Sequence, residues 1–194
     1  MIAHNTAQGQ IGSGFDVAAA VYGSILYQRV MYEHDEDLYG MSLSDYIVPY
    51  NWPHEWHVLL FNDGQHGSSS STRAQQFLAW YHSDDHTDCI NEIQECIDLI
   101  ISASRTIDAA LLKKAMSQLT LLYHALGQHC GIDVIPDAYL TCFNTLMQQD
   151  HILGAHCPGA GGYDAFYVIT LTPEKAISSL HAICLLYTSP SPRD

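Results

Sequence analysis

Between residues 86 and 128 the chain is patterned with the period of a helix. Ile90, Ile93, Ile97 and Ile100 recur three or four apart, and Leu111, Leu112, Met116, Leu119, Leu122 and Leu126 then repeat the spacing. Two amphipathic helices are predicted, at about 86–101 and 104–128, with both stripes in the core. The Gly131-Ile132-Asp133-Val134-Ile135-Pro136 break ends the second, and 137–149 reads as a shorter helix. Strands are predicted at 152–155 and 163–171, separated by a glycine-rich loop. Thr172-Pro173-Glu174 supplies a cap, a proline at the first helical position and an acid behind it, so a last helix starts there. Upstream, 56–61 is a short buried strand, followed by an Asp63-Gly64 turn, a serine-rich loop and a helix over 72–83. Residues 15–22 are small and apolar on every side, which describes a buried helix. Residues 24–31 suggest a strand, and 32–53 an irregular connection or edge hairpin. The sum is α+β, with helices on one face of a mostly antiparallel sheet.

Composition narrows the partners. The 194 residues are 47% apolar, enough to bury one core, and no apolar run approaches the roughly 20 residues of a membrane helix. No membrane association and no secretion signal are predicted. Twenty-one acids against seven basic residues give a formal charge of −14, which repels a phosphate backbone, so nucleic acid is excluded as a partner. Six cysteines form no C-x-x-C pair; with Cys184 set aside in the final segment, the other five read as reduced, buried thiols of a cytoplasmic protein. The oligomeric state stays open.

Two glycine-rich segments carry the candidate chemistry. In Gln8-Gly9-Gln10-Ile11-Gly12-Ser13-Gly14-Phe15-Asp16, glycines permit close backbone approach, and the amides opening the next helix favour an anion. Asp16 enters that helix either as a catalytic carboxylate or as an ordinary N-terminal helix acid. The second segment is Pro158-Gly159-Ala160-Gly161-Gly162-Tyr163-Asp164-Ala165-Phe166-Tyr167. Ser68-Ser69-Ser70-Ser71-Thr72 offers hydroxyls and amides at a helix start, either a cradle for phosphate or carboxylate or a flexible linker. Arg73 beside it is either a phosphate contact or a solvated arginine. His54-x-x-His57 and His82-x-x-x-His86 share no third ligand, so no metal site is assigned.

Together the strings "GSGFDVAAAVYGS" and "PGAGGYDAF" resemble the GHMP small-molecule kinases, in their phosphomevalonate kinase branch of the eukaryotic type. The resemblance also covers the 56–61 strand, the Gly67 to Thr72 turn and the helices to about 150. It implies a ferredoxin-like C-terminal kinase domain over 36–183, preceded by the end of the N-terminal domain over 1–35. It implies ATP-dependent phosphorylation of 5-phosphomevalonate with Mg²⁺, Asp16 being catalytic. Gln10, Ser13, Gly14, Ser69, Ser70, Ser71, Thr72, Arg73, Gly159, Ala160, Gly161, Gly162 and Asp164 would contact the substrate. Gln10 departs from the lysine that relatives often carry there, so Arg73 could supply the missing cation.

The family's phosphate loop, of the type Gly-Leu-Gly-Ser-Ser-Ala, occurs nowhere in the chain. Met1 is accordingly read as an internal or artificial start, and the chain as an inactive fragment. Residues 184–194 match the translation of a transposase-type sequencing adapter and are read as an artefact tail. Alternatives are a non-catalytic phosphomevalonate-binding module, or another GHMP kinase such as mevalonate kinase.

Overall fold

A computed structural model describes residues 14–28, 43–62 and 70–188; for Asp16, Leu43, Ser70, Ser71 and 184–188 it describes the backbone alone. The chain forms two compact units, 1–52 and 53–194. In the first, helix α1 (Phe15–Tyr22) is followed by strand β1 (Ile25–Tyr27), which pairs antiparallel with β2 (Ile47–Pro49) after a single 3-10 turn (Leu43–Tyr46). Gly14 starts α1 at φ 78°, a left-handed conformation that a side chain resists. The sequence predicts that α1 is buried all round, but Phe15, Val21 and Tyr22 are exposed. Among the described residues of this unit, a two-stranded ribbon is the sheet that an eight-residue helix can pack against.

The second unit contains β3 (His57–Phe61), α2 (Ser70–Tyr81), α3 (Thr87–Thr106), α4 (Ala109–Cys130), α5 (Asp137–Met147), β4 (Ile152–His156), β5 (Phe166–Thr170) and α6 (Pro173–Thr188). Its described strands form one antiparallel sheet in the order β3-β5-β4. The architecture is α+β, yet β3, expected to be buried, has Val58 and Leu60 exposed, and at β4 helices pack on both faces rather than on the one expected. Strand alternation explains why. Gly154 and His156 point to α4, where Met116 occupies the space of a Gly154 side chain and the Thr120 hydroxyl meets His156 Nδ1 at 3.2 Å. Ala155 and Cys157 point the other way, into a core shared with Tyr139 and Phe143 of α5 and Ala176 and Leu180 of α6. Phe166 anchors that side, its ring 5.2–5.5 Å from those of Tyr139, Phe143 and Phe61. Each fully buried large apolar side chain contributes about 1.5–3 kcal/mol, so this layer fixes the β4–β5 hairpin firmly.

The isoleucine and leucine stripes do meet: Ile93 and Cys96 of α3 pack on Leu119 and Leu126 of α4. The break between these helices falls later than the sequence suggests. Ser104 stays inside α3, its hydroxyl bonded to the Ile100 and Ile101 carbonyls, both at 2.9 Å. Ile107 then turns left-handed at φ 55°, and the Asp108 carboxylate caps α4 by accepting from the Leu111 amide at 2.9 Å. At the far end the backbone stays helical through Thr188, five residues beyond the expected limit of 183.

Candidate functional site

The hairpin joining β4 to β5 carries the second glycine motif, and its geometry shows why glycine is needed. Gly159, Gly161 and Gly162 have φ of 60°, 72° and 95°. The Gly161 amide donates to the Pro158 carbonyl at 3.1 Å, closing a tight turn, and the Gly162 amide donates to the Val134 carbonyl at 3.1 Å. A Cβ on Gly161 would lie 2.1 Å from that carbonyl oxygen, so the loop is pressed against backbone in the α4–α5 connection. The Tyr139 hydroxyl donates to the Tyr163 carbonyl at 3.0 Å and secures the outgoing end. Pro158 and Gly159 remain exposed at the tip, whereas Gly161 and Gly162 are buried.

The first turn of α2 meets this loop. Arg73 is 3% exposed, and its Nη2 donates to Asp164 Oδ2 at 2.9 Å. A solvated arginine is thereby ruled out. Its guanidinium lies directly beneath Gly162, where an added Cβ would be 2.4 Å from Nη1 and 2.7 Å from Cζ. Cys157 also senses this cation: burial pushes its thiol up to about 12, while the Arg73 charge acts in the opposite direction. Helix α2 begins at Ser70, so Ser70, Ser71 and Thr72 form its first turn with Arg73, and Thr72 is exposed. The fold thus gathers the serine-threonine turn, Arg73, the glycine loop including Ala160, and Asp164 in one unit. Gly14 and Asp16 sit in the other, Gly14 buried before α1 and Asp16 at its second residue. Gln10, Ser13 and Ser69 lie outside the described residues.

Three contributors escaped the sequence reading: the Val134 carbonyl, the Tyr139 hydroxyl and Cys157. Gly131 to Pro136 read only as a helix break, and Tyr139 only as part of the shorter helix at 137–149. Ending that break on a proline one residue before a helix was the sole local sign of an ordered carbonyl there. His86 stacks on Trp80, with centroids 3.7 Å apart, and its Nε2 lies 3.0 Å from the Trp80 carbonyl. The five described cysteines carry no disulfide, and those at 96, 142 and 157 are buried.

The fold is that of the GHMP kinases. The L. major mevalonate kinase, solved in complex with R-mevalonate, superposes with a TM-score of 0.65 at 16% identity, over 93% of this chain and 50% of that one. A Lin0012 protein from Listeria innocua superposes at 0.76 with 20% identity, over 96% of this chain and 55% of that one. Curated relatives that the chain resembles are named phosphomevalonate kinases, at 24–28% identity. The peroxisomal phosphomevalonate kinase of Arabidopsis thaliana is 26% identical over 94% of this chain and 49% of its own length. That of Candida albicans is 28% identical over 88% and 48%. No family model matches. The chain spans about half the length of the curated relatives it matches.

Proposed function

We propose that the protein to which this chain belongs is a phosphomevalonate kinase, transferring the γ-phosphoryl group of ATP to the phosphate of 5-phosphomevalonate. The observation that carries the reading is the buried, glycine-dependent turn at 159–162, held against the first turn of α2, in a chain related to phosphomevalonate kinases along nearly its whole length.

Phosphoryl transfer asks the protein mainly to position reactants and neutralise charge. Asp16, at the positive end of α1, orients the attacking phosphate oxygen. That oxygen belongs to a monoester whose second pKa is about 6, so it needs little help from a base. Gln10, Ser13 and Gly14 are assigned to contacts with the same substrate. The hydroxyls and amides of Ser69, Ser70, Ser71 and Thr72 hold a phosphate or carboxylate at the start of α2. Gly159 and Ala160, at the accessible side of the turn, let substrate approach backbone. In this assignment residues 1–35 belong to the end of an N-terminal kinase domain and 36–183 to the C-terminal domain. ATP supplies the phosphoryl group, and Mg²⁺ would neutralise its charge. No phosphate-loop string occurs in the chain, and no described cluster of three or more His, Cys, Asp or Glu side chains could hold a metal. Their contacts are therefore assigned to no residue here. No described helix is long and apolar enough to cross a membrane. The cytoplasm is the proposed location, although the Arabidopsis relative is named as peroxisomal.

The test is ADP release by the longest open frame containing this chain, given ATP and 5-phosphomevalonate, mevalonate or homoserine in turn. Turnover with 5-phosphomevalonate alone is expected. Turnover with mevalonate instead would overturn the assignment, and substrate affinity without turnover would favour a binding module.

A further inference from the structure

We propose that Arg73 is a positioning residue, which props the glycine-rich turn from below and does not deliver its charge to the substrate. The inference deepens the kinase reading and rests on it only for the identity of the ligand. Three observations converge. The side chain is 3% exposed, leaving almost no surface for a ligand. Its charge is already met by Asp164 at 2.9 Å, a carboxylate that is itself 56% exposed and reaches in from the rim. Its planar head occupies the space that any side chain at Gly162 would need, with Nη1 2.4 Å and Cζ 2.7 Å from the position of a Cβ. A guanidinium is flat and carries its donors in a fixed fork, so it can lie under a turn and grip a carboxylate beyond it; an ammonium on a flexible stem does neither.

The turn is therefore clamped twice. The Val134 carbonyl accepts the Gly162 amide from one side, and the Arg73–Asp164 pair closes over the other. This arrangement gives glycine at 162 a specific cause and explains a cation buried next to Cys157. It also assigns the phosphate-binding role to hydroxyls and amides, in a chain with few cations to spare.

The experiment is amide hydrogen exchange on the full 194-residue chain, comparing wild type with Arg73→Lys, Arg73→Met and Asp164→Asn, alongside titration with 5-phosphomevalonate at low and high salt. Local opening sets exchange, and a charge-assisted bond lost beneath the turn should speed exchange at Gly161 and Gly162 by about tenfold or more. Amides in α3 and α4 should be unchanged, Arg73→Lys should not rescue the turn, and Asp164→Asn added to Arg73→Met should do no further harm. Should Arg73→Met fail to fold, Asp164→Asn carries the same test from an exposed side chain. Affinity for 5-phosphomevalonate should fall in the variants while its salt dependence stays that of wild type. Unchanged exchange at Gly161 and Gly162 in folded variants would overturn the proposal, as would a salt dependence that disappears with the guanidinium. A wild-type chain that binds no 5-phosphomevalonate, with the exchange pattern as expected, would count against the kinase reading alone.

Discussion

Replacing Gly162 by alanine perturbs the loop in two separable ways. The backbone at φ 95° is a conformation that a Cβ disfavours, and the new methyl would sit 2.4 Å from Arg73 Nη1. The backbone part costs about 1 kcal/mol. The steric part cannot be relieved cheaply, because Arg73 is buried and tied to Asp164, and overpacking of this kind costs about 1–3 kcal/mol. A total of roughly 2–4 kcal/mol is expected. Gly159→Ala is the internal control: its φ is 60°, but nothing lies within 4 Å of its Cβ position, so only the backbone part applies. Urea denaturation followed by circular dichroism reads the difference. With a slope of about 2 kcal/mol/M, the Gly162→Ala midpoint should fall below that of Gly159→Ala by roughly 0.5–1.5 M. Combining Gly162→Ala with Arg73→Ala should bring back most of the steric part, since the two changes share one contact. Coincident midpoints for Gly159→Ala and Gly162→Ala would refute the reasoning, because they would mean that Arg73 yields freely.

Burial holds the His156 imidazole down at about 4, so between there and its ordinary value near 6.5 the unfolded chain takes up the proton first. The stability tied to neutral His156 is complete above about 6.5 and is lost as pH falls toward 4, by up to roughly 3 kcal/mol. Urea midpoints between pH 6.5 and 5 should fall more steeply for wild type than for His156→Gln, and equal slopes would contradict this. Ile107 adopts φ 55° with its side chain 54% exposed, so Ile107→Gly relieves strain without emptying a core; it should stabilise by about 0.5–1 kcal/mol, seen as a thermal midpoint higher by a few degrees.

What the sequence made legible was what local spacing can encode. The isoleucine and leucine stripes specified α3 and α4 and their mutual face, and Pro173 marked the start of α6 within a residue. The glycine punctuation marked the loop. The rest depends on distant partners. Ile107 and Asp108 end one helix and start the next because a left-handed turn and a carboxylate cap coincide there, and the apolar period runs through that point without a signal. Arg73 and Asp164 are 91 residues apart, so no local pattern announces that one buries itself to grip the other. Packing on both sheet faces was hidden for a similar reason. Gly154 reads as a weak strand position until Met116 is seen to fill the space above it. Asp16 was legible by type and place, at the head of an apolar helix, and its role rests on chemistry that only a reaction can display.

The most direct test of the central claim is therefore the single-turnover rate of Asp16→Asn in the longest open frame containing this chain, with ATP and 5-phosphomevalonate, beside the affinity of the same variant for 5-phosphomevalonate. If Asp16 orients the attacking oxygen, the rate should fall by about a hundredfold or more while affinity changes little. A rate within twofold of wild type, or a loss of affinity that accounts for the whole loss of rate, would contradict the account and return Asp16 to the role of a helix-terminal acid.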